Sequence, residues 1–196
     1  MCGRYYYDDY MWADIRDDFP ELSDALPSMA SGPAFGAPGD ITPAMKAWSL
    51  AEGLRPGLPT WGFRGRGGKL IINARAETIA EKPAFAESVR KRRCVLPAAG
   101  FYEWDAGRRR VRFTLPDRPV LYLAGVWRPD GEDARFVVIT REANDSMRPV
   151  HDRMPLMIAP EDVRDWIARP ERTEELLRQP LPELRAERDY EQLKWF

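Results

Sequence analysis

The sequence predicts an α+β fold built on an antiparallel, barrel-like sheet with short helices at its periphery. Three observations point there. Eighteen prolines and fourteen glycines cut the 196 residues into short elements rather than long helices. Val111, Phe113 and Leu115 alternate with Arg110, Arg112 and Thr114, which is the period of a half-buried strand. Turn signals at Asp105-Ala-Gly and Pro129-Asp-Gly join such strands to antiparallel neighbours. The length suits a single domain over 1–196, and 44% hydrophobic with 11% aromatic residues is enough to bury a full core.

In chain order, Tyr5-Tyr6-Tyr7 is β-prone. Asp8 or Asp9 caps a short helix whose buried stripe is Met11, Ile15 and Phe19. Residues 20–43 are rich in Pro, Gly, Ser and Ala and read as loop. Strands follow at 45–50, 58–63 and 69–73. A helix fits 78–91, with Pro83 near its start and Phe85 and Val89 on one face. Strands return at 93–97, 100–104, 110–115, 119–127 and 135–140. A short helix fits 142–148, and Pro155-Leu-Met-Ile reads as a last core strand. Pro160-Glu-Asp opens a helix to about Ala168, with Val163 and Ile167 one turn apart, and another short helix fits 171–178. The charged end, 181–196, is expected to pack loosely.

Bulk numbers exclude several classes. A formal net charge of −1 carries no global nucleic-acid signature, so any such role rests on a local patch. Two cysteines, Cys2 and Cys94, make no disulfide framework, which reads as a reducing, cytoplasmic setting. The first residues lack an apolar signal core and carry early aspartates. The longest strongly apolar run, 120–127, is far too short to span a bilayer, so no membrane partner is expected. One histidine and two cysteines cannot form a standard zinc site without carboxylates, and neither a glycine-rich phosphate loop nor GxSxG is present.

Four places offer chemistry. Cysteine is small enough that an initiator methionine ahead of it is normally trimmed, and loss of Met1 would give Cys2 a free α-amine beside its thiol. Such amines and thiols ordinarily titrate roughly one to two units above neutrality, so both are partly nucleophilic. The amine can form an imine with an aldehyde, and the sulfur can then close a five-membered thiazolidine. No internal cysteine can do this, although chain termini are more often frayed than functional. Asn73 and Arg75 lie where a strand end meets a helix start, and they offer an amide that donates and accepts and a fork suited to phosphate. On spacing alone, a cap and turn with a surface ion pair is the simpler reading. Gly100-Phe-Tyr-Glu-Trp104 puts Phe101 and Glu103 on one strand face, and a carboxylate beside apolar rings suits acid/base work. An exposed strand glutamate beside a core tryptophan fits equally. His151 is the only histidine, set in a polar loop beside Asp152 and Arg153, and is the obvious proton shuttle near neutrality.

Local basic stretches bear on partners. Trp61-Gly-Phe-Arg-Gly-Arg66-Gly-Gly-Lys69 mixes rings, cations and flexible glycines, as a single-strand platform requires. Arg90 to Arg93 form a second basic run, and Arg108, Arg109 and Arg110 read as a solvated hairpin end.

Taken together, seven motifs in consistent order resemble one family. They are Met-Cys-Gly-Arg at the start, Trp61-Gly, Ile-Asn-Ala-Arg-Ala-Glu-Thr at 72–78, Arg-Arg-Cys-Val-Leu-Pro-Ala at 92–98, Gly-Phe-Tyr-Glu-Trp at 100–104, Ile-Thr at 139–140 and His-Asp-Arg-Met-Pro at 151–155. The chain resembles the SRAP (SOS-response-associated peptidase) family over 1–160, with a helical part following. The resemblance implies an SRAP-like fold and a DNA damage response role. SRAP proteins recognise abasic sites in single-stranded DNA, often near junctions with duplex. They trap the open-chain sugar aldehyde on the N-terminal cysteine as a thiazolidine DNA–protein crosslink, which shields the lesion.

Carried over by position, the resemblance makes Cys2 the double nucleophile and has Asn73 position its amine and the sugar. Glu103 becomes the acid/base that opens the sugar ring, and His151 assists proton transfer and holds the lesion's phosphate. Arg4, Arg75 and Thr140 match positions that contact the DNA backbone, and Trp61 and Trp104 match aromatic positions in or beside the cleft. The implied partner is single-stranded DNA bearing an abasic site, with no cofactor, no metal, no membrane and a monomeric chain. Two departures stand out. Asp40-Ile-Thr-Pro43 replaces an Asn-Ile-Ala-Pro-like motif, and Phe-Arg-Gly-Arg-Gly-Gly after Gly62 replaces a longer loop with a further proline and tryptophan. Arg64 and Arg66 would then substitute electrostatically for stacking.

Two other functions stay open at this level. One is a thiol hydrolase, autoproteolytic as the family name suggests, with Cys2 as nucleophile, His151 as base and Glu103 as orienter. It would need an oxyanion hole, for which no motif is visible, and only Met1 precedes Cys2 for processing. The other is a single-strand binder without covalent chemistry, which would not depend on Cys2.

Overall fold

β-Branched and aromatic residues are densest between 120 and 142, and the two longest strands form there. The structure is a computed structural model that describes residues 2–25, 35–42, 44–46 and 54–188. Met1, the expected loop over 26–34, part of the expected strand at 47–50 and the end 189–196 lie outside the described residues.

The strands are β1 Tyr5–Tyr6, β2 Phe35–Gly36, β3 Ala44–Lys46, β4 Arg55–Gly57, β5 Thr60–Trp61, β6 Phe63–Arg64, β7 Leu70–Ile71 and β8 Asn73–Arg75. They continue as β9 Arg93–Ala98, β10 Gly100–Trp104, β11 Arg110–Thr114, β12 Leu121–Asp130, β13 Asp133–Glu142, β14 Arg153–Pro155, β15 Met157–Ile158 and β16 Arg185–Arg188. The α-helices are short: α1 Met11–Asp18, α2 Ala86–Lys91, α3 Val163–Ala168 and α4 Thr173–Arg178. None is long and apolar enough to cross a membrane among the described residues.

Two sheets carry the fold. One runs β16-β11-β10-β1-β2, and the other β14-β13-β12-β9-β3-β4, with β5, β8 and β15 attached. Pairing is antiparallel throughout except that β5 and β8 lie parallel to β13. The α+β class with a strand core and peripheral helices is as expected, and the described strands form open sheets rather than a closed barrel. The core collects rings from both sheets: Trp61, Trp127, Phe101, Phe113 and Phe136 are all buried. Burial of this apolar area is the main driving force, at about 25 cal/mol per Å².

Several elements differ from expectation for local reasons. The helix expected over 78–91 is reduced to α2, and turns occupy 76–85. Pro83 lacks an N–H and disfavours helical backbone at Lys82, so the helix starts only beyond it. The strand expected over 58–63 breaks at Gly62, whose φ of 107° is open to glycine and strained for other residues. Residues 145–150 are turns rather than a helix; Arg148 folds back to donate to the Ala143 carbonyl at 2.8 Å. The expected loose end contributes β16, an exposed edge strand paired with β11. Helix α1 follows the expected pattern: Asp8 Oδ1 accepts from Met11 N–H at 3.0 Å, and Met11, Ile15 and Phe19 are buried.

Candidate functional site

The first residues are drawn into the fold by strand pairing. Tyr5 lies opposite Phe101, and Tyr102 N–H donates to the Arg4 carbonyl at 2.9 Å, so residues 2–4 run alongside the end of β10. From the other sheet, β8 lies parallel to β13, with Asn73 level with Val138 and Arg75 with Thr140. Trp61 fixes β8 from below, since its Nε1 donates to the Ile72 carbonyl at 2.9 Å. Asn73 closes the gap between the sheets: its Nδ2 donates to the Cys2 carbonyl at 3.0 Å, across 71 residues of sequence.

Cys2 is therefore pinned rather than frayed. It is 0% exposed, and Glu103 beside it is 4% exposed. Burial pushes the Cys2 thiol well above the ordinary range, the Glu103 charge pushes the same way, and a backbone hydrogen bond from Arg4 opposes both. The thiol is thus held protonated next to a carboxylate. Asn73 Oδ1 is buried and has no hydrogen-bond partner among the described residues, so an acceptor remains in the same corner. Tyr5 lines the floor, with its hydroxyl donating to Thr42 Oγ1 at 2.8 Å and its ring centroid 4.9 Å from that of Trp61.

A second group of residues sits on β14 and the ends of β8 and β13. Nδ1 of His151 accepts from the Arg153 backbone N–H at 2.9 Å and lies 2.9 Å from Asp152 Oδ1. The Arg153 guanidinium donates to both Glu77 oxygens at 2.8 Å and to the Thr140 carbonyl at 2.7 Å. That fork holds the Glu77 carboxyl down at about 2. His151 is thereby tied through Arg153 to Thr140 and so to the strand pair that carries Asn73.

The remaining expected residues are spread around this corner. Arg4 and Arg75 are exposed, and Arg75 has no ion-pair partner among the described residues. Arg4 lies 5.9 Å over the ring of Trp104, which is 41% exposed. Trp61, expected in or beside a cleft, is fully buried and stacks on Phe136, so its place is behind the site. Thr140, expected at a DNA backbone, is also fully buried, with its hydroxyl lacking a hydrogen-bond partner among the described residues. The structure thus brings Cys2, Asn73 and Glu103 together and links Arg75, Thr140 and His151 through β8, β13 and β14. Sequence reasoning missed the Arg153–Glu77 fork. Both residues stood inside recognised motifs, but 76 positions apart no spacing rule joins them. No group of three or more His, Cys, Asp or Glu side chains among the described residues is placed to hold a metal.

Comparison with known proteins adds four findings. The family model described as SOS response associated peptidase (SRAP) matches residues 1–195. The chain is 30% identical over 186 residues to abasic site processing protein YoaM of Bacillus subtilis (strain 168), covering 85% of this chain and 79% of that one. It is also 30% identical over 104 residues to abasic site processing protein YedK of Escherichia coli (strain K12), covering 50% of this chain and 47% of that one. A crystal structure of a protein from Bordetella bronchiseptica superposes with a TM-score of 0.76 at 24% identity, over 95% of this chain and 99% of that one, which shows a shared fold.

Proposed function

The chain belongs to the SOS response associated peptidase (SRAP) family, and on that premise we propose that it captures abasic sites in single-stranded DNA covalently through Cys2. The observation that carries this reading is the burial of Cys2, the second residue of the chain, between Asn73 and Glu103. The Asn73 side chain reaches the Cys2 carbonyl across 71 residues of sequence, which keeps Cys2 beside Glu103.

The proposed chemistry begins once Met1 is removed. The Glu103 carboxylate takes the proton of the anomeric hydroxyl and returns it to the ring oxygen as the sugar opens to its aldehyde. The Cys2 amine attacks the aldehyde carbon, and the carbinolamine loses water to give an imine. The Cys2 sulfur then adds to the imine carbon, its proton passes by way of Glu103 to the nitrogen, and a thiazolidine closes. The balance is one aldehyde plus one aminothiol giving one thiazolidine and one water, with no change of oxidation state. Because the thiol is held protonated, the amine is the first nucleophile and the sulfur needs a base at contact distance. Asn73 Oδ1 is the acceptor that orients the freed amine. His151 assists proton transfer and holds the lesion's phosphate, while Arg4, Arg75 and Trp104 hold the flanking strand. Trp61 and Thr140 act from behind, by fixing β8 and β13.

The test is direct. Protein shown by intact mass to lack Met1 is mixed with a single-stranded oligonucleotide carrying one abasic site, or none, and run on a denaturing gel. A heat-stable shifted band that needs the lesion and vanishes in Cys2→Ala is expected. Absence of that band from correctly processed protein refutes the proposal.

A further inference from the structure

Strands β13 and β14 are antiparallel neighbours, and such a pair needs only about two to five residues to turn. Here the chain runs through 143–152 before it pairs again, and His151 lies near the end of that excursion. Its base is closed where Ala143 N–H donates to the Asp152 carbonyl at 2.9 Å. Inside it, the N–H groups of Met147 and Arg148 donate to the Asn144 carbonyl at 3.2 and 2.9 Å. His151 N–H then donates to the Met147 carbonyl at 3.1 Å, and the Met147 side chain is fully buried. The backbone of His151 is thus held through Met147 by Asn144. Asn144 uses every polar atom it has. Its N–H meets Met154 Sδ at 3.3 Å, and its Oδ1 accepts from Ser146 Oγ at 2.6 Å. Its Nδ2 donates to the Pro182 carbonyl at 2.9 Å and, at longer range, to the Leu181 carbonyl at 3.4 Å. Ser146 Oγ in turn accepts from Leu184 N–H at 3.0 Å.

Asn144 and Ser146 therefore grip the strap 179–184, which joins α4 to β16. Gln179 has φ −56° and ψ 153°, the extended backbone favoured ahead of a proline. Pro180 and Pro182 have no N–H, so the strap presents carbonyls at its centre. An amide NH₂ carries two donors and suits two successive carbonyls, whereas a carboxylate or a hydrocarbon of that size offers none. The upstream end is fixed by the Arg141 guanidinium on the Gln179 carbonyl and by Gln179 Nε2 on the Met157 carbonyl at 2.8 Å. Downstream, Leu184 is buried, and Arg185 opens β16 opposite Thr114 of β11. β11 pairs with β10, where Val111 lies opposite Glu103. The clasp thus joins the His151 excursion of one sheet to the sheet that carries Glu103. Asn73 ties the same two sheets at Cys2.

We propose that Asn144, supported by Ser146, is a positioning residue for His151, and that the 179–184 strap is the fixed edge against which it sets the imidazole relative to Glu103. This rests on the role read for His151 above and extends it by naming what holds that side chain in place. It also gives the C-terminal part of the fold a share in the reaction, although none of its residues reaches the Cys2 corner in sequence motif or contact.

The test uses two independent readouts. His151 is the only histidine in the chain, so tag-free protein gives one set of imidazole proton signals by NMR, readable without DNA. Crosslinking rate is measured on a saturating abasic oligonucleotide. The variants are Asn144→Ala, Ser146→Ala, His151→Ala and the double variant Asn144→Ala/His151→Ala. Ser23→Ala, which loses one exposed hydroxyl bond to the Pro20 carbonyl, is the control. Thermal melts confirm folding, and Ser146→Ala carries the test if Asn144→Ala does not fold. Asn144→Ala is expected to shift the His151 ring signals and to slow crosslinking roughly ten-fold or more, since a misplacement of about 1 Å costs up to ~10²-fold. Ser146→Ala should act in the same direction and less, and Ser23→Ala should match wild type in both readouts. In the His151→Ala background, Asn144→Ala should change the rate less than about two-fold, because no imidazole is left to misplace. Unchanged ring signals in Asn144→Ala and Ser146→Ala, shifted signals with a wild-type rate, or an equal rate loss in the His151→Ala background overturns the positioning role. His151→Ala crosslinking at the wild-type rate overturns it too, together with the role read for His151. A wild type that forms no crosslink, with its ring signals still moved by both substitutions, would overturn the covalent reading and leave the clasp as the element that orients His151.

Discussion

The two faces of β10 are built from alternate residues of one five-residue strand, and they solve opposite problems. The inner face removes groups from water. Phe101 is fully buried, Glu103 nearly so, and Cys2 is closed in against them. The outer face leaves more side chain at the surface: Trp104 is 41% exposed, Arg110 is exposed, and Arg4 and Arg110 lie over the rings of Trp104 and Tyr102. Burial strengthens electrostatics and shifts protonation, which suits bond making. Exposure with weak, sequence-tolerant contacts suits a polymer that must be held without being read. On the proposed function, chemistry and grip are thus separated by the thickness of one strand.

Replacing Glu103 should break the inner face most severely. Glu103→Gln keeps the shape and removes the proton carrier, so the rate of crosslink formation should fall by about 10²–10⁴. Undamaged-strand binding should stay at the wild-type level, because the outer face is untouched. Equal losses in both assays would show that the faces are not separable. A substitution at Gly100 should damage both faces at once. Gly100→Ala puts a methyl group against the Phe113 carbonyl and the Tyr6 ring, and overpacking of this kind costs about 1–3 kcal/mol. Chemical denaturation should report that loss, together with weaker strand binding.

How much of this was legible beforehand divides along the same line. Cys2, Asn73 and Glu103 were each ambiguous alone, because a single residue in a strand or turn has a structural use as good as its chemical one. Their order along the chain supplied the link through a family resemblance, and the structure supplies the contact: Asn73 Nδ2 on the Cys2 carbonyl. Strand alternation in 110–115 correctly anticipated which side chains of β11 are buried. Sequence could not show that Trp61 lies wholly inside, since a Trp-Gly pair beside arginines looks the same whether it meets a base or a core. Nor could it divide Arg108–Arg110, because the hairpin register that turns Arg110 onto the sheet depends on Asp105 accepting from Gly107 and Arg109. Helical periodicity over 78–91 argues for a longer helix than α2, but in the fold Pro83 prevails.

Smaller effects sharpen the inner face. Asn73→Ala removes one hydrogen bond to the Cys2 carbonyl, worth about 1 kcal/mol, and the oriented acceptor. Crosslinking should slow by roughly five-fold at the least by that energy, with Tm little changed. The Glu77–Arg153 fork should matter least and show a pH signature. The folded Glu77 carboxyl is lowered to about 2 from an ordinary 4.5, chiefly by hydrogen bonds from the Arg153 guanidinium. Its stabilisation is therefore full above about pH 4.5 and lost as pH falls toward 2. Glu77 is 47% exposed in its side chain, so screening keeps the effect below about 1 kcal/mol. Melts of wild type and Glu77→Gln should differ most at neutral pH and converge in acid; a constant gap across pH would mean the carboxylate charge is not what Arg153 uses.

The central claim is that both the amine and the sulfur of Cys2 end on one sugar carbon. Its most direct measurement is the intact mass of the adduct between processed protein and an abasic oligonucleotide, before and after borohydride. A thiazolidine predicts a mass one water below the sum of the two partners, unchanged by the reductant, and a Cys2→Ser adduct that gains two hydrogens as a trapped imine. A wild-type adduct that gains those two hydrogens would show an open imine with the sulfur unused, and would contradict the account.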